Sequence, residues 1–359
     1  MSELQKTGLH GEHTTLKAKM APFAGFDMPL QYSSVKEEII AVRESAGVFD
    51  VSHMGEFFVE GEDAIKFVDF MLTNDFAGAD IGKAVYSPLC RENGTIIDDL
   101  IAYKLEDKKV LICVNAANIE KDYSWLEKHV HRFNCSLSNR SHEYELLALQ
   151  GPKSEAILKE CGVFPQGEFP YYSAKEFDTP LGQIILARTG YTGEDGFEIF
   201  GGLKTIQTLW NKFMELEVTP CGLASRDVLR LEVAYPLYGH ELSDDWTPLD
   251  AALAWTVKKD KESFMGKETL EDYKPKYRLI KLSLDKGIPR EGFEVLNEQE
   301  ETIGRITSGT MSVTLGKGIG LALVEKAKFP KDKVFKIKVR KNIMDAQFHA
   351  KAFVTGGHK

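Results

Sequence analysis

The stretch Asn93-Gly94-Thr95-Ile96-Ile97-Asp98-Asp99-Leu100-Ile101-Ala102-Tyr103 constrains the fold of this chain more than any other segment. An Asn-Gly turn signal opens it, and β-branched and apolar residues follow, the pattern of a strand leaving a tight turn. Two adjacent carboxylates sit inside the apolar run. Neighbouring side chains of a strand point to opposite faces, so Asp98 and Asp99 cannot share one. One is expected to face solvent or a turn. The other must face the core or a cleft, where a carboxylate needs a hydrogen-bond partner or a ligand. The alternative is a strand that begins late, with both carboxylates at its solvated mouth. Residues 105–110 read as a hairpin turn, 110–114 as the return strand ending at Asn115, and 116–128 as a helix. That succession brings Asp99 and Asn115 close together on one sheet.

A chain of 359 residues exceeds one compact core, so two or three domains are expected. The net charge of −9 is spread along the chain. No basic patch points to nucleic acid or a membrane surface as partner. The five cysteines (Cys90, Cys113, Cys135, Cys161, Cys221) are odd in number, widely spaced and free of CxxC pairs. That pattern predicts neither structural zinc nor a disulfide framework, but free thiols in a reducing cytoplasm. The polar N-terminus lacks the apolar core of a signal peptide, and no apolar run is long enough to span a bilayer.

In chain order, residues 1–30 read as a polar lead-in followed by a Gly-, Pro- and aromatic-rich loop over 20–30. Residues 34–44 predict a helix capped by Ser34, with Glu37 placed to complete a capping box. Residues 47–59 read as strand with His53 and Met54 at its centre, both more typical of packing than of chemistry. A helix over 63–72, turns over 73–83 and a strand over 84–89 complete a small α+β domain from about Val51 to Leu137. Beyond it come a strand over 144–149, a helix over 154–161, turns over 162–180 around Tyr171-Tyr172, and a strand over 183–188.

That strand runs into Arg188-Thr189-Gly190-Tyr191-Thr192-Gly193-Glu194-Asp195-Gly196-Phe197-Glu198-Ile199. Its glycines permit positive φ and close backbone approach. It lacks the Lys-Ser/Thr of a phosphate loop, and its acids would repel an anion. Tyr191 and Glu198 suit a neutral heterocycle with ring N–H and amino donors; a tight hairpin with solvated acids is the other reading. Helices are predicted over 203–216 and 221–233. On the second, Arg226 and Arg230 share a face, which by itself reads as surface ion pairing with Asp227 and Glu232. A short polar helix over 263–270 and a linker over 273–276 come next. Closely spaced strands over 278–284, 292–296, 302–307, 320–323, 334–340 and 348–354 then suggest a small β-barrel or sandwich.

Taken together, Pro22-Phe23-Ala24-Gly25-Phe26, Phe49-Asp50-Val51-Ser52-His53-Met54-Gly55, the 94–100 and 188–199 stretches, Val114-Asn115-Ala116, Ala148-Leu149-Gln150-Gly151-Pro152, 222–232 and Thr307-Ser308-Gly309 resemble the aminomethyltransferase, or T-protein, family of the glycine cleavage system. The resemblance runs from Thr14 to about Phe353. It implies an α+β fold of three domains in a cloverleaf around a central folate pocket. A discontinuous first domain (1–50 plus 140–275) would pair with a ferredoxin-like α+β domain (51–139) and a C-terminal β-barrel (276–359).

The same resemblance implies a catalytic aspartate at Asp99. It implies folate contacts at Met54, Tyr86, Ile101, Asn115, Tyr191, Glu198, Arg226 and Tyr235, with Trp255 and Arg278 near the pocket and no metal. The implied reaction moves the methylene carbon of an aminomethyl group from the lipoyl arm of the H-protein to tetrahydrofolate, releasing ammonia. H-protein and the other glycine cleavage proteins are the implied partners. Where family members end in an aromatic-rich tail that reaches the pocket, this chain ends Ala352-Phe353-Val354-Thr355-Gly356-Gly357-His358-Lys359, and no contact is carried over there. Two other functions fit the same fold: a demethylase of another small methylated donor, and a non-catalytic folate-binding module.

Overall fold

The computed structural model describes residues 3–357. His358 and Lys359 of the tail lie outside them. Helix α1 (His10–Thr15) leads into strands β1 (Lys19–Phe23) and β2 (Phe26–Gln31). The segment expected to be a loop is therefore a two-stranded ribbon. Ala24 and Gly25 both take positive φ, 48° and 86°, as a tight hairpin turn requires. Gly and Pro density hid the strands, yet Pro22 and Pro29 are tolerated because the ribbon has two edges and no centre.

Helix α2 (Val35–Glu44) starts where Ser34 Oγ accepts the Glu37 N–H at 3.2 Å. The expected strand over 47–59 is two strands, β3 (Gly47–Asp50) and β4 (Gly55–Glu60), in different sheets. Asp50 Oδ1 accepts from Ser52 N and Oγ at 2.9 and 2.6 Å, and this local turn breaks the run. His53 and Met54 sit in the turn, not at a strand centre.

Helix α3 (Ala64–Met71) precedes strands β5 (Ala84–Cys90), β6 (Ile96–Glu106) and β7 (Lys109–Val114); helix α4 (Ile119–Val130) and strand β8 (Ser136–Asn139) come after them. They form an antiparallel five-stranded sheet in the order β5-β6-β7-β4-β8. Phe67, Val68 and Met71 of α3 and Leu126 of α4 share one core with Phe57, Ala102 and Ile112 of that sheet.

The chain then returns to the sheet that β3 began. Strand β9 (Glu145–Gln150) is followed by helix α5 (Ser154–Glu160) and strands β10 (Ala174–Thr179), β11 (Gly182–Ala187) and β12 (Gly196–Gly201). Helix α6 (Leu203–Glu215), strand β13 (Thr219–Pro220) and helix α7 (Leu223–Glu232) complete it. The sheet order is β10-β11-β12-β9-β3-β13. The turn-rich 162–180 stretch thus contains a strand, β10; its alternation is polar because it is an edge paired only with β11.

Helix α8 (Lys267–Asp272) begins four residues later than expected, because Gly266 at φ 85° ends the preceding turn. Strands β14 (Tyr277–Leu284), β15 (Glu294–Leu296), β16 (Thr302–Met311), β17 (Gly318–Glu325), β18 (Phe335–Val339) and β19 (Asn342–His349) close a barrel in the order β14-β17-β16-β15-β18-β19. The last strand lies at Asn342–His349, not at 348–354, because a turn at Arg340 (φ 58°) starts it early. The segment expected to be that strand instead packs on α7: Phe353 joins Leu231, Ile319 and Leu321. Val354 and Gly357 donate to the carbonyls of Glu232 and Gly193, each at 2.9 Å. Among the described residues no helix is long and apolar enough to cross a membrane.

Candidate active site

A cavity of about 1440 Å³ is lined by the β1–β2 ribbon, the His53-Met54 turn, both open sheets, α7 and the barrel strands β14 and β16. The twofold period of β6 decides what the first wall presents. Asp99, Ile101 and Tyr103 line the cavity, with Leu100 touching its edge, while Leu100 and Ala102 pack with α3 and α4.

Neither carboxylate sits at a solvated mouth. Asp98 is 0 % exposed. It accepts from Asn115 N at 3.1 Å, Asn115 Nδ2 at 2.8 Å and Asn118 Nδ2 at 2.6 Å. Asp99 takes the Tyr86 hydroxyl at 2.9 Å on one oxygen and Asn115 Nδ2 at 3.0 Å on the other. Burial, and then the negative charge of Asp98, push the Asp99 carboxyl up to about 7. The expected closeness of Asp99 and Asn115 is therefore a direct hydrogen bond.

The second wall is the loop between β11 and β12. It is a hairpin connection, but its acids are not solvated. Arg188 grips Asp195 with two bonds of 2.9 and 2.6 Å, a bidentate pair that fixes both planes. Arg43 bonds Glu194 and Glu232 at 2.9 and 2.8 Å, tying the loop to α7. Gly193 has φ +82°, and a Cβ there would meet Val233 of the α7 terminus. Gly190 is needed for a different reason: a Cβ would stand 2.0 Å from Gln150 Oε1.

The braced loop holds Tyr191 and leads to Glu198 at the cavity. The Tyr191 hydroxyl donates to the Pro236 carbonyl, and its ring stands 5.8 Å from that of Tyr235. Glu198 is 8 % exposed. Tyr103 and Thr189 both donate to its Oε2, at 3.1 and 2.5 Å, so Oε1 keeps its lone pairs for a ligand.

The arginines of α7 bear out part of the expected pairing, Arg230 Nε donating to the exposed Asp227 at 2.8 Å, but neither arginine is a surface residue. Arg230 is buried and bonds Glu241, the Tyr235 carbonyl and Ser308 at 3.0, 3.1 and 2.9 Å, linking helix to barrel. Arg226 lies 5.1 Å over the Tyr191 ring, and its Nη1 is buried without a partner. Burial lowers its pKa, with the negative charge of Glu198 opposing. An unsatisfied guanidinium nitrogen beside Tyr191 and Glu198 is a donor that a polar ligand can satisfy.

Met54, Tyr86, Ile101, Asn115, Tyr191, Glu198, Arg226, Tyr235 and Trp255 all line the cavity with Asp99. Trp255 is 58 % exposed and stacks on Tyr86 at 5.9 Å and 21°, covering the Asp99 partner from outside. Arg278 is the exception. It shares strand parity with Ile280, Leu282 and Leu284 of the barrel core, and its guanidinium lies 4.4 Å over Phe329. The β14 residues that reach the cavity are Leu279 and Lys281.

Sequence reasoning missed Tyr103, Thr189 and His53 as cavity or support residues. Tyr103 had a signal, since it is two strand periods from Asp99. His53 had none: burial lowers it to about 4, so it is neutral, and its Nδ1 is unpartnered.

Two open sheets and a closed barrel thus surround one acid-bearing cavity. Two family models match the chain: the GCVT N-terminal domain over residues 9–261 and the glycine cleavage T-protein C-terminal barrel domain over 278–354. The aminomethyltransferase of Thermosipho melanesiensis is 44 % identical over 99 % of each chain. That of Thermotoga maritima is 46 % identical over 90 % of each. The crystal structure of glycine cleavage system aminomethyltransferase T from Bartonella henselae superposes with a TM-score of 0.93 at 33 % identity, covering 99 % of each chain. The chain belongs to the glycine cleavage T-protein family. It is an enzyme, a transferase with aminomethyltransferase activity in glycine cleavage, in a family that is folate-dependent and works with partner proteins.

Proposed function

We propose that the cavity binds tetrahydrofolate as co-substrate and that Asp99 assists transfer of a methylene carbon to it from the aminomethylated lipoyl arm of H-protein, in the cytoplasm. One observation carries this: Asp99, Tyr191 and Glu198 line the same cavity. The residues fit the group. Glu198 Oε1 offers acceptor capacity to the amino and ring N–H donors of a pterin, Arg226 offers an unsatisfied donor, and Tyr191, Tyr235 and Met54 offer flat apolar contact. On this reading residues 1–50 and 140–275 hold Glu198, Tyr191 and Arg226, residues 51–139 supply Asp99, and the barrel of 276–359 closes one wall.

The co-substrate supplies two nitrogens that take up the carbon as a methylene bridge; ammonia and the lipoyl thiol leave with the two protons those nitrogens lose. The protein does the rest. Asp99 stands in a dry site where its charge acts strongly on a developing cation. With a carboxyl near 7, it can both hold and pass a proton at neutral pH. Tyr86 and Asn115 fix one oxygen each, so the acid is aimed before substrate arrives. Calorimetry with tetrahydrofolate tests the binding half: micromolar affinity that falls at least tenfold in Glu198→Ala supports it, and unaltered affinity in that variant refutes it.

A further inference from the structure

Behind Asp99 lies a second acid, Asp98, and behind that a third, Asp122. The folate-dependent transfer assigned to Asp99 gives neither of them a part, and any role they play depends on that assignment. Asn118 and Asp122 are four residues apart at the start of α4, hence on one helix face, and that face meets Asp98. Asp122 is 0 % exposed and neither of its oxygens receives an N–H or hydroxyl donor; its carboxyl lies within hydrogen-bond reach of Asp98, to which it can donate only when protonated. Asp98 by contrast collects three N–H donors. The Asn115 amide is shared: its Nδ2 reaches Asp98 Oδ1 at 2.8 Å and Asp99 Oδ1 at 3.0 Å. A single amide therefore bridges the acid at the cavity to the acid beneath it.

We propose that Asp98 is a positioning residue for Asp99: it stays ionised while Asp122 keeps its proton, and through the shared Asn115 amide it holds Asp99 in place and makes it a weaker acid. The donors decide where the charge rests. Three N–H groups stabilise a carboxylate on Asp98. Asp122 has none, and burial first, then Asp98, raise it far above the usual carboxylate range. Two carboxylates this close cannot both ionise cheaply.

The remaining titratable groups facing the cluster are few. Tyr86 on β5 donates to Asp99. Tyr191 on the β11–β12 loop acts on Asp99 from across the cavity. Cys113 on β7 and Tyr238 beyond α7 both feel Asp98. Lys121 on α4 is drawn first to Asp244, 3.9 Å away, and then to Asp122 and Asp98, and its ammonium bonds the Tyr238 hydroxyl at 2.6 Å. Burial raises Cys113 and Tyr238 and keeps them neutral, and Asp98 is the charge that acts most strongly on Asp99.

The test is the pH profile of ammonia release, read beside a carbon-13 titration of the aspartate carboxyls. In Asp98→Asn the Asp99 midpoint should fall by on the order of one unit, since a charge within several ångströms has been removed. In Asp122→Asn it should move by less than about a third of that, because the group already lacks charge. An unmoved midpoint in Asp98→Asn overturns the proposal. So does an equal shift in both variants, which would place the charge on Asp122. Should Asp98→Asn not fold, the wild-type titration decides alone: Asp98 must ionise first and Asp122 last, and any other order refutes the assignment. These midpoints are read without turnover. An enzyme that titrates as stated but releases no ammonia contradicts the proposed function and leaves only the placement of charge among the three acids standing.

Discussion

Asp99 and Glu198 divide the work of the cavity, and their variants should separate cleanly. Asp99→Asn keeps the shape but removes the charge and turns one of the two acceptor oxygens into an N–H donor. Turnover should fall on the order of a hundredfold or more, with folate affinity changed less than about threefold. Steady-state ammonia release and calorimetry check the two halves. Glu198→Ala should do the reverse, weakening binding at least about tenfold, because Tyr103 and Thr189 lose their shared acceptor along with the ligand. The Asp pair was legible from strand parity, as two carboxylates on opposite faces. That Asp98 is buried and Asp99 half-buried at a cavity was not, because the second face is covered by α4, and a helix packing from 20 residues downstream leaves no local mark on Asp98. Arg226 and Arg230 misread for the same kind of reason: charge at helical spacing looks solvated until a barrel 78 residues away supplies Ser308.

At the scale of elements, the β11–β12 loop is held by ion pairs, not by its own turn geometry. Arg188→Met should strand the buried Asp195 carboxylate and cost about 3–5 kcal/mol. Adding Asp195→Leu should recover much of that loss, since a buried pair replaced by apolar groups of similar volume is often neutral. Denaturation midpoints of the single and double variants measure this; equal loss in both would show that the pair is not the brace. The barrel strands and central helices were readable from their period. The β1–β2 ribbon, β10 and β19 were not. The ribbon and β10 are edge strands carrying prolines or charges, where pattern and core burial part company; β19, alone of the barrel strands misplaced, is paired on both sides but has no fully buried side chain to mark its period. The division of one continuous apparent strand between β3 and β4 was hidden because a side-chain turn at Asp50 and Ser52, not glycine or proline, makes the break.

For the molecule as a whole, the acids around the cavity make stability depend on pH. Asp99 rises from 3.8 to about 7, so the folded state binds a proton that the unfolded chain gives up from about pH 4 upward. Stability then falls as pH rises toward 7, by on the order of 4 kcal/mol for a shift of about three units at 1.4 kcal/mol each. Asp98, Asp122 and Glu56, all raised by burial, act in the same direction. His53, lowered from 6.5 to about 4, works the other way but only below 6.5, and Asp50, held low by His13 against its burial, matters only in acid. Between pH 6.5 and 8 the melting temperature should therefore fall, and Asp99→Asn should flatten the slope. A melting temperature that climbs across that window would contradict the burial of these acids.

Ammonia release from aminomethylated H-protein, followed in single turnovers with and without tetrahydrofolate, tests the assignment of Asp99 most directly. The wild-type chain should release ammonia far faster when tetrahydrofolate is present, and Asp99→Asn should lose that acceleration by about a hundredfold while still binding the folate. Release by Asp99→Asn at the wild-type rate would contradict it.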